Sequence, residues 1–218
     1  MHTIVAIPLF MSITTIFDFL VNNYVTFGRN DDLRWYYLHV QTNLITSVIT
    51  FPDMLSTIVK TNPLYLDFEA TNTAMCATFS LHLYHILFFN KIRRGDLIHH
   101  INMIGTMMLS ILFNGGSLTN YLVFYLNGFP GLVYYSTMIL VEHKFMKRST
   151  EKTISMYTHT WIRNPGIIYG ASLLWIYWNN GVFDKINYLV PLFILITILW
   201  NGPYYAMYVA HSCGRSNS

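Results

Sequence analysis

The stretch LHLYHILFFNKIRRGDLIHHINMIG, residues 81–105, decides the fold of this chain. Two apolar segments flank a short basic turn at residues 91–95, a pattern that predicts a helical hairpin in a membrane. Titratable side chains are costly in hydrocarbon, so a cluster of them on one hairpin indicates function. Four histidines and one aspartate lie on the two arms: His82, His85, Asp96, His99 and His100.

Helical spacing brings these side chains together. His82 and His85 are three residues apart and share one helix face, while Asp96 precedes the paired histidines by about one turn. His85 lies six residues before Lys91 and His100 lies five residues after residue 95. At about 1.5 Å per residue the two arms therefore place their histidines at one depth, which predicts a shared pocket.

Composition extends the hairpin to a whole membrane bundle. Of 218 residues, 53% are hydrophobic, 17% aromatic and 11% charged, whereas an ordinary soluble domain has about 25% charged residues. Seven apolar segments come near the roughly 17 to 25 residues needed to cross a bilayer. They are residues 3–25, 39–59, 71–90, 97–113, 120–141, 154–178 and 186–210. We therefore predict an all-α, multi-pass transmembrane bundle that forms a single domain over residues 1–218.

The basic residues give this bundle an orientation, since cytoplasmic loops carry an excess of Lys and Arg. If the seven segments alternate across the membrane, ten basic residues fall on one side and only Lys60 and Lys185 on the other. The ten are Arg29, Arg34, Lys91, Arg93, Arg94, Lys144, Lys147, Arg148, Lys152 and Arg215. This segregation predicts an N-terminus outside and a C-terminus in the cytoplasm.

The charge pattern also bounds the partners. The net charge of +3 comes from the cytoplasmic loops, so we expect no nucleic-acid binding. The loops are too short to fold as separate domains, which leaves the inside of the bundle and its rim for any chemistry. Membrane lipids are therefore the expected partners, and the oligomeric state stays open.

Further polar residues fall near the hairpin in this topology. His39 and His159 also lie towards the cytoplasmic side, so that six histidines can share one layer, although His39 taken alone is expected at the membrane interface. Asp18 and Arg163 lie inside apolar segments, where an unpaired charge costs several kcal/mol. We predict that Asp18 and Arg163 pair with each other or with the histidine layer.

Glycine and proline residues interrupt several of the segments. The Gly166 to Gly170 spacing predicts a close contact between helices. Kinks are expected where proline breaks the helical hydrogen bonds. These prolines are Pro52, Pro130, Pro165, Pro191 and Pro203.

The run Asp96-Leu97-Ile98-His99-His100 resembles the Asp-x-x-His-His motif of the TLC-domain family of multi-pass membrane proteins, which includes the ceramide synthases. A tyrosine and a histidine, Tyr84-His85, precede the basic turn in a similar layout. The likeness covers roughly residues 81–105, and only the pattern of apolar segments extends it further. It implies a protein of the endoplasmic reticulum or a related internal membrane.

The resemblance implies an acyltransferase site. In ceramide synthases the paired histidines lie where a long-chain base is acylated from acyl-CoA, which maps that role onto His99 and His100. One imidazole would act as general base on the amine, and the other would take the acyl group or stabilise the oxyanion. Asp96 would orient an imidazole. We count His85 with the catalytic candidates and His82 with the substrate-binding ones. Three basic residues would meet the CoA phosphates: Lys91, Arg93 and Arg94.

Part of the ceramide synthase pattern is missing. Those enzymes carry a second acidic motif on a later span, whereas residues 101–141 contain no Asp, Glu, His, Lys or Arg. It is therefore open whether the chain is an enzyme.

Three function classes are kept. The first is a lipid-handling protein that acylates a sphingoid base or related lipid, with acyl-CoA as co-substrate and with no bound cofactor and no metal. The second is a non-catalytic lipid sensor, carrier or trafficking factor. The third is a histidine-metal oxidoreductase acting on lipids, since imidazole binds iron and zinc. A seven-span receptor or retinal protein is ranked last, because the seventh segment has no lysine for the Schiff base of a retinal.

Overall fold

The computed structural model of the chain describes residues 3–28, 30–59, 70–89, 92, 94–113 and 115–216. Within these ranges only the backbone is described at residues 3, 4, 94–96, 98, 99, 112, 113, 215 and 216. The described part is all-helical and contains no strand. The all-α class predicted from composition is thereby confirmed for this part of the chain.

The described residues form nine α-helices. In chain order they are α1 (Thr3–Leu20), α2 (Asp31–Val59), α3 (Thr73–Phe88), α4 (Arg94–Phe113), α5 (Gly116–Val123), α6 (Phe129–Glu142), α7 (Arg148–Thr158), α8 (Asn164–Asn179) and α9 (Leu189–Ser216).

Three π-helical turns make some of these helices continuous. Val21–Val25 extends α1, Phe124–Gly128 joins α5 to α6, and His159–Arg163 joins α7 to α8. The described residues therefore form seven continuous helical rods, one for each apolar segment of the sequence. The second rod begins at Asp31, eight residues before the predicted segment, because the sequence prediction followed apolar character alone.

Two helical stretches in the described part of the chain are long and apolar enough to cross a membrane by length and composition. They are Val5–Val25 and Leu189–Gly214. Thr73–Phe88 and His100–Ile111 are also apolar but shorter. Two of the seven rods of the described residues are therefore candidate membrane-spanning helices.

Proline explains where two of the π turns lie. Pro130 and Pro165 each follow the last residue of a π turn by two positions. A proline has no N–H to donate, and its ring collides with the carbonyl four residues before it, so regular α-helix cannot continue there. The wider π turn absorbs this misfit. The irregularities expected in the fifth and sixth segments take this form.

The start of α2 is fixed by local hydrogen bonding. The side-chain oxygen of Asn30 accepts from the Leu33 N–H at 2.9 Å, which caps an otherwise unpaired donor of the first turn. Asp31 and Asp32 follow in that turn, where the helix dipole favours negative charge. Arg34 lies in this capped first turn.

Helix α2 contacts α3, α5 and α6, and α1 packs against α3. A larger apolar core lies between α5, α8 and α9, around Leu118, Leu122, Ile167, Leu174, Ile194 and Ile198. The Gly166 and Gly170 pair lies on the face of α8 that meets this core: a Cβ added at Gly166 would come within 2.2 Å of the Tyr125 ring. The predicted close helix contact is therefore confirmed.

Candidate functional site

Four histidines from three helices form the candidate site. His39 comes from α2, His82 and His85 from α3, and His100 from α4. All four are buried, with 7%, 5%, 0% and 2% of their surface exposed. Histidine is seldom fully buried without partners, so a group of four requires an account of how each ring is satisfied.

His85 and His100 share a hydrogen bond. Nδ1 of His85 lies 3.1 Å from Nε2 of His100, so one ring donates and the other accepts. The ring of His82 also lies against His100, with ring centroids 4.7 Å apart. The shared depth and the shared face predicted for these three histidines are thereby confirmed.

Aromatic rings enclose the histidine pair. Trp35 stacks on His85 with ring centroids 3.7 Å apart and planes 9° from parallel. The ring centroid of His39 lies 4.8 Å from that of His85 and 4.0 Å from that of Tyr135 on α6. Phe89 meets His85 edge-on at 5.0 Å. This packing fixes the planes of the imidazoles and keeps water from them.

The tautomers of two histidines follow from their hydrogen bonds. Nδ1 of His39 lies 2.9 Å from the Trp35 carbonyl, and Nδ1 of His82 lies 2.8 Å from the Thr78 carbonyl. A carbonyl oxygen can only accept, so Nδ1 carries the proton in both rings. In the neutral form Nε2 is then the basic nitrogen. His85 keeps one ring nitrogen, Nε2, buried without a hydrogen-bond partner.

An ion pair lies beside the cluster. Arg34 donates from Nε to Oδ1 and from Nη2 to Oδ2 of Asp18, each at 2.5 Å, which is the forked geometry of a strong pair. The Tyr84 hydroxyl donates to Oδ2 of Asp18 at 2.6 Å. The hydrogen bonds that Arg34 donates to Asp18 raise the pKa of the Arg34 guanidinium. The network ties α1, α2 and α3 together.

One aromatic ring connects the ion pair to the histidines. The guanidinium carbon of Arg34 lies 4.3 Å from the centre of the Phe89 ring, a cation–π contact. Phe89 in turn meets both His85 and Trp35 edge-on. Arg34 and the histidine stack therefore contact the same aromatic ring.

The structure describes part of the predicted site. His82, His85 and His100 are brought together as the hairpin geometry required. Lys91 and Arg93 lie outside the described residues. Three further predicted residues lie on the first turns of α4 with only their backbone described: Arg94, Asp96 and His99. Their roles stay predictions.

One prediction about the other polar residues was wrong. Asp18 pairs with Arg34 and Tyr84 and not with Arg163, because α1 packs against α3 beside the start of α2. His39 is buried in the histidine cluster, where its ring stacks between those of His85 and Tyr135.

Arg163 belongs to a second polar group. It donates to the side-chain oxygen of Asn201 and, at 3.3 Å, to the Leu126 carbonyl. His159 lies one turn before it on the same π turn. The sequence prediction placed His159 in the histidine layer, and the structure places it beside Arg163.

Sequence reasoning missed two members of the site. Neither Trp35 nor Tyr135 was assigned a role from the sequence. A signal for Trp35 existed, since it lies four residues before His39 and shares its helix face. No such local signal exists for Tyr135, which arrives from a distant part of the chain.

The described side chains include no group of three or more His, Cys, Asp or Glu residues placed to hold a metal ion. Comparison of the chain with protein-family models, with curated proteins and with solved structures finds no match. The function is therefore argued from the site itself.

Proposed function

We propose that this chain is a lipid-handling membrane protein whose histidine cluster is a reaction site for acyl transfer, from acyl-CoA to a sphingoid base or a related lipid. The observation that carries the proposal is the buried bond between His85 and His100, 3.1 Å long and formed across two helices. The likeness of Asp96, His99 and His100 to the TLC-domain motif supports the same class of reaction.

The bonded pair has the properties that a proton carrier needs. Imidazole accepts and releases protons near neutral pH, and a second imidazole can share the proton that the first accepts. When His85 donates from Nδ1 to His100, its Nε2 presents a lone pair with no competing hydrogen bond. Such a nitrogen can take the proton of an attacking amine or hydroxyl.

The acyl transfer would then proceed by general base catalysis. The nucleophile of the acceptor lipid attacks the thioester carbon, its proton passes to the histidine pair, and the CoA thiolate leaves. The same pair returns the proton to the departing sulfur, so atoms and charge balance. His99 and Asp96 would act beside the pair, as the family likeness implies.

We further propose that all seven helical rods cross the membrane, with the N-terminus outside and the C-terminus in the cytoplasm of an internal membrane such as the endoplasmic reticulum. The distribution of ten basic residues against two supports this topology. It places the histidine cluster near the cytoplasmic face, where acyl-CoA is present.

The test is lipid mass spectrometry of cells that express the chain. We expect a lipid product with the native chain that falls at least about 100-fold when His85→Gln or the pair His99→Ala and His100→Ala is introduced. His211→Ala is the matched control, because His211 is exposed on α9, and it should keep the product. Thermal unfolding of each purified variant separates lost chemistry from lost folding.

Two results, one from lipid mass spectrometry and one from metal analysis of the purified protein, would reject the acyl-transfer proposal. An unchanged lipid profile in folded His85→Gln and His99→Ala, His100→Ala variants would leave the cluster with a structural role. Stoichiometric iron or zinc in the purified protein would move the function to the oxidoreductase class.

A non-catalytic lipid carrier or sensor is the second candidate. It is favoured by an apolar cavity whose walls include Met75, Met103, Met107, Leu122, Leu174 and Ile194. The cavity measures about 40 Å³, so its walls would have to move apart to admit a lipid chain. Methionine side chains adapt readily to a guest. Histidine is not among the residues that line this cavity, so binding there would not depend on the histidine cluster.

A further inference from the structure

Arg163 is a buried cation that the proposed reaction does not use. It lies at the end of the π turn His159–Arg163 and has 6% of its surface exposed. Its Nε donates to the Leu126 carbonyl at 3.3 Å and its Nη2 to the side-chain oxygen of Asn201. The Tyr205 ring lies 5.4 Å from the guanidinium carbon. Nη1 is buried and has no hydrogen-bond partner.

The positive charge of Arg163 has no carboxylate partner in the described part of the chain. The ion pairs found there belong to Arg34 and Arg148. The groups that do contact Arg163 are a carbonyl, an amide and a phenol ring, all neutral. Buried charges are normally paired, because an unpaired one is costly. An anion beside Arg163 would supply such a pairing.

The orientation of Arg163 is set by the fold. Pro130 has no N–H to offer the Leu126 carbonyl four residues before it, so this carbonyl can accept from the arginine instead. Asn201 on α9 holds the other side of the guanidinium. Two helices thus fix a guanidinium whose remaining donor, Nη1, has nothing to bind. Such a preorganised donor is suited to a bound anion.

Neighbouring groups are also unsatisfied. Asn164 Oδ1 and His159 Nδ1 are buried without hydrogen-bond partners. Buried polar atoms in native proteins nearly always have a partner, and here three such atoms belong to residues 159–164. Of the three, Arg163 Nη1 can donate to an anion, as can His159 Nδ1 in the tautomer that protonates it, whereas Asn164 Oδ1 can only accept.

The apolar cavity described above comes close to this polar group. Leu126, whose carbonyl accepts from Arg163, lines the cavity together with Asn127. Ile198, another wall residue, lies one turn before Asn201 on α9. An occupant of the site can therefore place a charged group on Arg163 and an apolar group toward the methionine-rich walls.

We propose that Arg163 binds the anionic headgroup, carboxylate or phosphate, of a single-chain lipid whose chain lies toward this cavity. The site is separate from the histidine cluster. The experiment that tests it measures ligand binding and does not require enzymatic turnover. Failure of the acyl-transfer proposal would therefore leave this one standing, and the converse also holds.

The test compares four probes on the purified full chain in neutral detergent by thermal unfolding. Palmitate and hexadecyl phosphate carry chain and charge, hexadecanol carries the chain alone, and inorganic phosphate carries the charge alone. We expect at least one of the two charged amphiphiles to raise Tm by about 5 °C or more at saturation. Hexadecanol and inorganic phosphate should leave Tm unchanged. Which charged probe acts distinguishes a fatty acid from a phospholipid headgroup.

Variants assign the effect to Arg163. Arg163→Gln removes the charge and keeps donors for Asn201, so it should abolish the shift, while Arg163→Lys should keep a smaller one because it cannot form a forked contact. Lys185→Gln, at an exposed cation, is the matched control and should behave as the native chain.

Three results would overturn the proposal. They are an equal shift with hexadecanol and palmitate, a shift with inorganic phosphate alone, and a full shift in Arg163→Gln. The comparison of the four probes on the native chain decides the matter even if Arg163→Gln does not fold.

Discussion

Asp18 satisfies two partners at once, the Arg34 guanidinium and the Tyr84 hydroxyl, and 4% of its surface is exposed. The side chain of Arg34 has 17% of its surface exposed. Removing one member of such a pair leaves the other charge largely buried and without its close hydrogen-bonded partner. Removing one partner is therefore expected to cost more stability than the ion pair contributes in net terms.

We expect Asp18→Asn to destabilise the folded chain by about 3 to 5 kcal/mol, because Arg34 then loses its buried, forked partner and keeps only the distant, exposed carboxylate of Asp31. The measurement is chemical denaturation of the purified protein in detergent. Asp31→Asn is the matched control: Asp31 lies 3.8 Å from the same arginine, but 75% of its side chain is exposed. It should change stability by less than about 1 kcal/mol. Equal effects of the two variants would contradict a dominant role for the buried pair.

The hydrogen bonds of His39 and His82 make a prediction about their protons. Nitrogen-15 NMR of the labelled protein at neutral pH should show both rings protonated at Nδ1, since each Nδ1 faces a backbone carbonyl. The exposed His211 serves as the reference and should show the usual mixture of tautomers. Nε2-protonated signals for His39 and His82 would be incompatible with the ring placement described above.

At the residue scale, spacing predicted the neighbours along a helix but not the partners across the bundle. The contact of His85 with His100 could be predicted because both positions are measured from one short turn. The pairing of Asp18 with Arg34 could not, because it depends on the tilt and rotation of α1 against α2. Arg34 was counted as a loop charge, since no local pattern shows that the first turn of α2 is partly buried.

Helix α8 shows how an element finds its place through small residues. Gly166 faces the Tyr125 ring, and Gly170 faces Leu122, where an added Cβ would come within 2.5 Å. The absence of side chains on this face lets α8 approach the joint between α5 and α6. That approach also carries Arg163 toward the Leu126 carbonyl.

We expect Gly166→Ala to destabilise the chain by about 1 to 3 kcal/mol, because the new methyl group would overlap the Tyr125 ring and force the helices apart. Gly105→Ala provides the comparison: Gly105 is exposed on α4, and an added Cβ there has no atom within 4 Å. Alanine at that position should be neutral or stabilise by up to about 1 kcal/mol. Thermal unfolding of both variants tests the difference, and a stable Gly166→Ala protein would reject the tight contact.

Element boundaries were predicted only where apolar character changes at a helix end. The π turns were not predicted, although prolines marked two of their neighbourhoods. A proline shows that regular hydrogen bonding must fail, but the form of the failure depends on what accepts or donates nearby. At Phe124–Gly128 the Leu126 carbonyl meets Arg163, a residue 37 positions away, and no local reading of the sequence contains that contact.

For the whole molecule, the seven helical rods of the described residues were predictable because apolar segments and their polar connections alternate along the chain. The arrangement of the helices was not, since α2 contacts α6 as well as its neighbour α3. Tyr135 therefore completes the histidine cluster from a position that no motif marks.

The proposed topology places the connection before α7 and the one before α9 on opposite sides of the membrane. Lys147→Cys and Lys185→Cys, both at exposed positions, should accordingly react with a membrane-impermeant thiol reagent from opposite sides of sealed microsomes. The native cysteines, Cys76 and Cys213, are buried and give a low background that the unmodified chain measures. Labelling of both positions from one side would reject an odd number of spans between them.

The ion pair has a consequence for synthesis of the chain. Its three partners come from the first three helices, so all of them have left the ribosome when residue 88 has. Tyr135 follows Tyr84 by about fifty residues, a delay of several seconds at about 5–20 residues per second. During that interval Asp18 and Arg34 can already hold α1, α2 and α3 together, while the stacked imidazoles still lack the Tyr135 ring that α6 will bring.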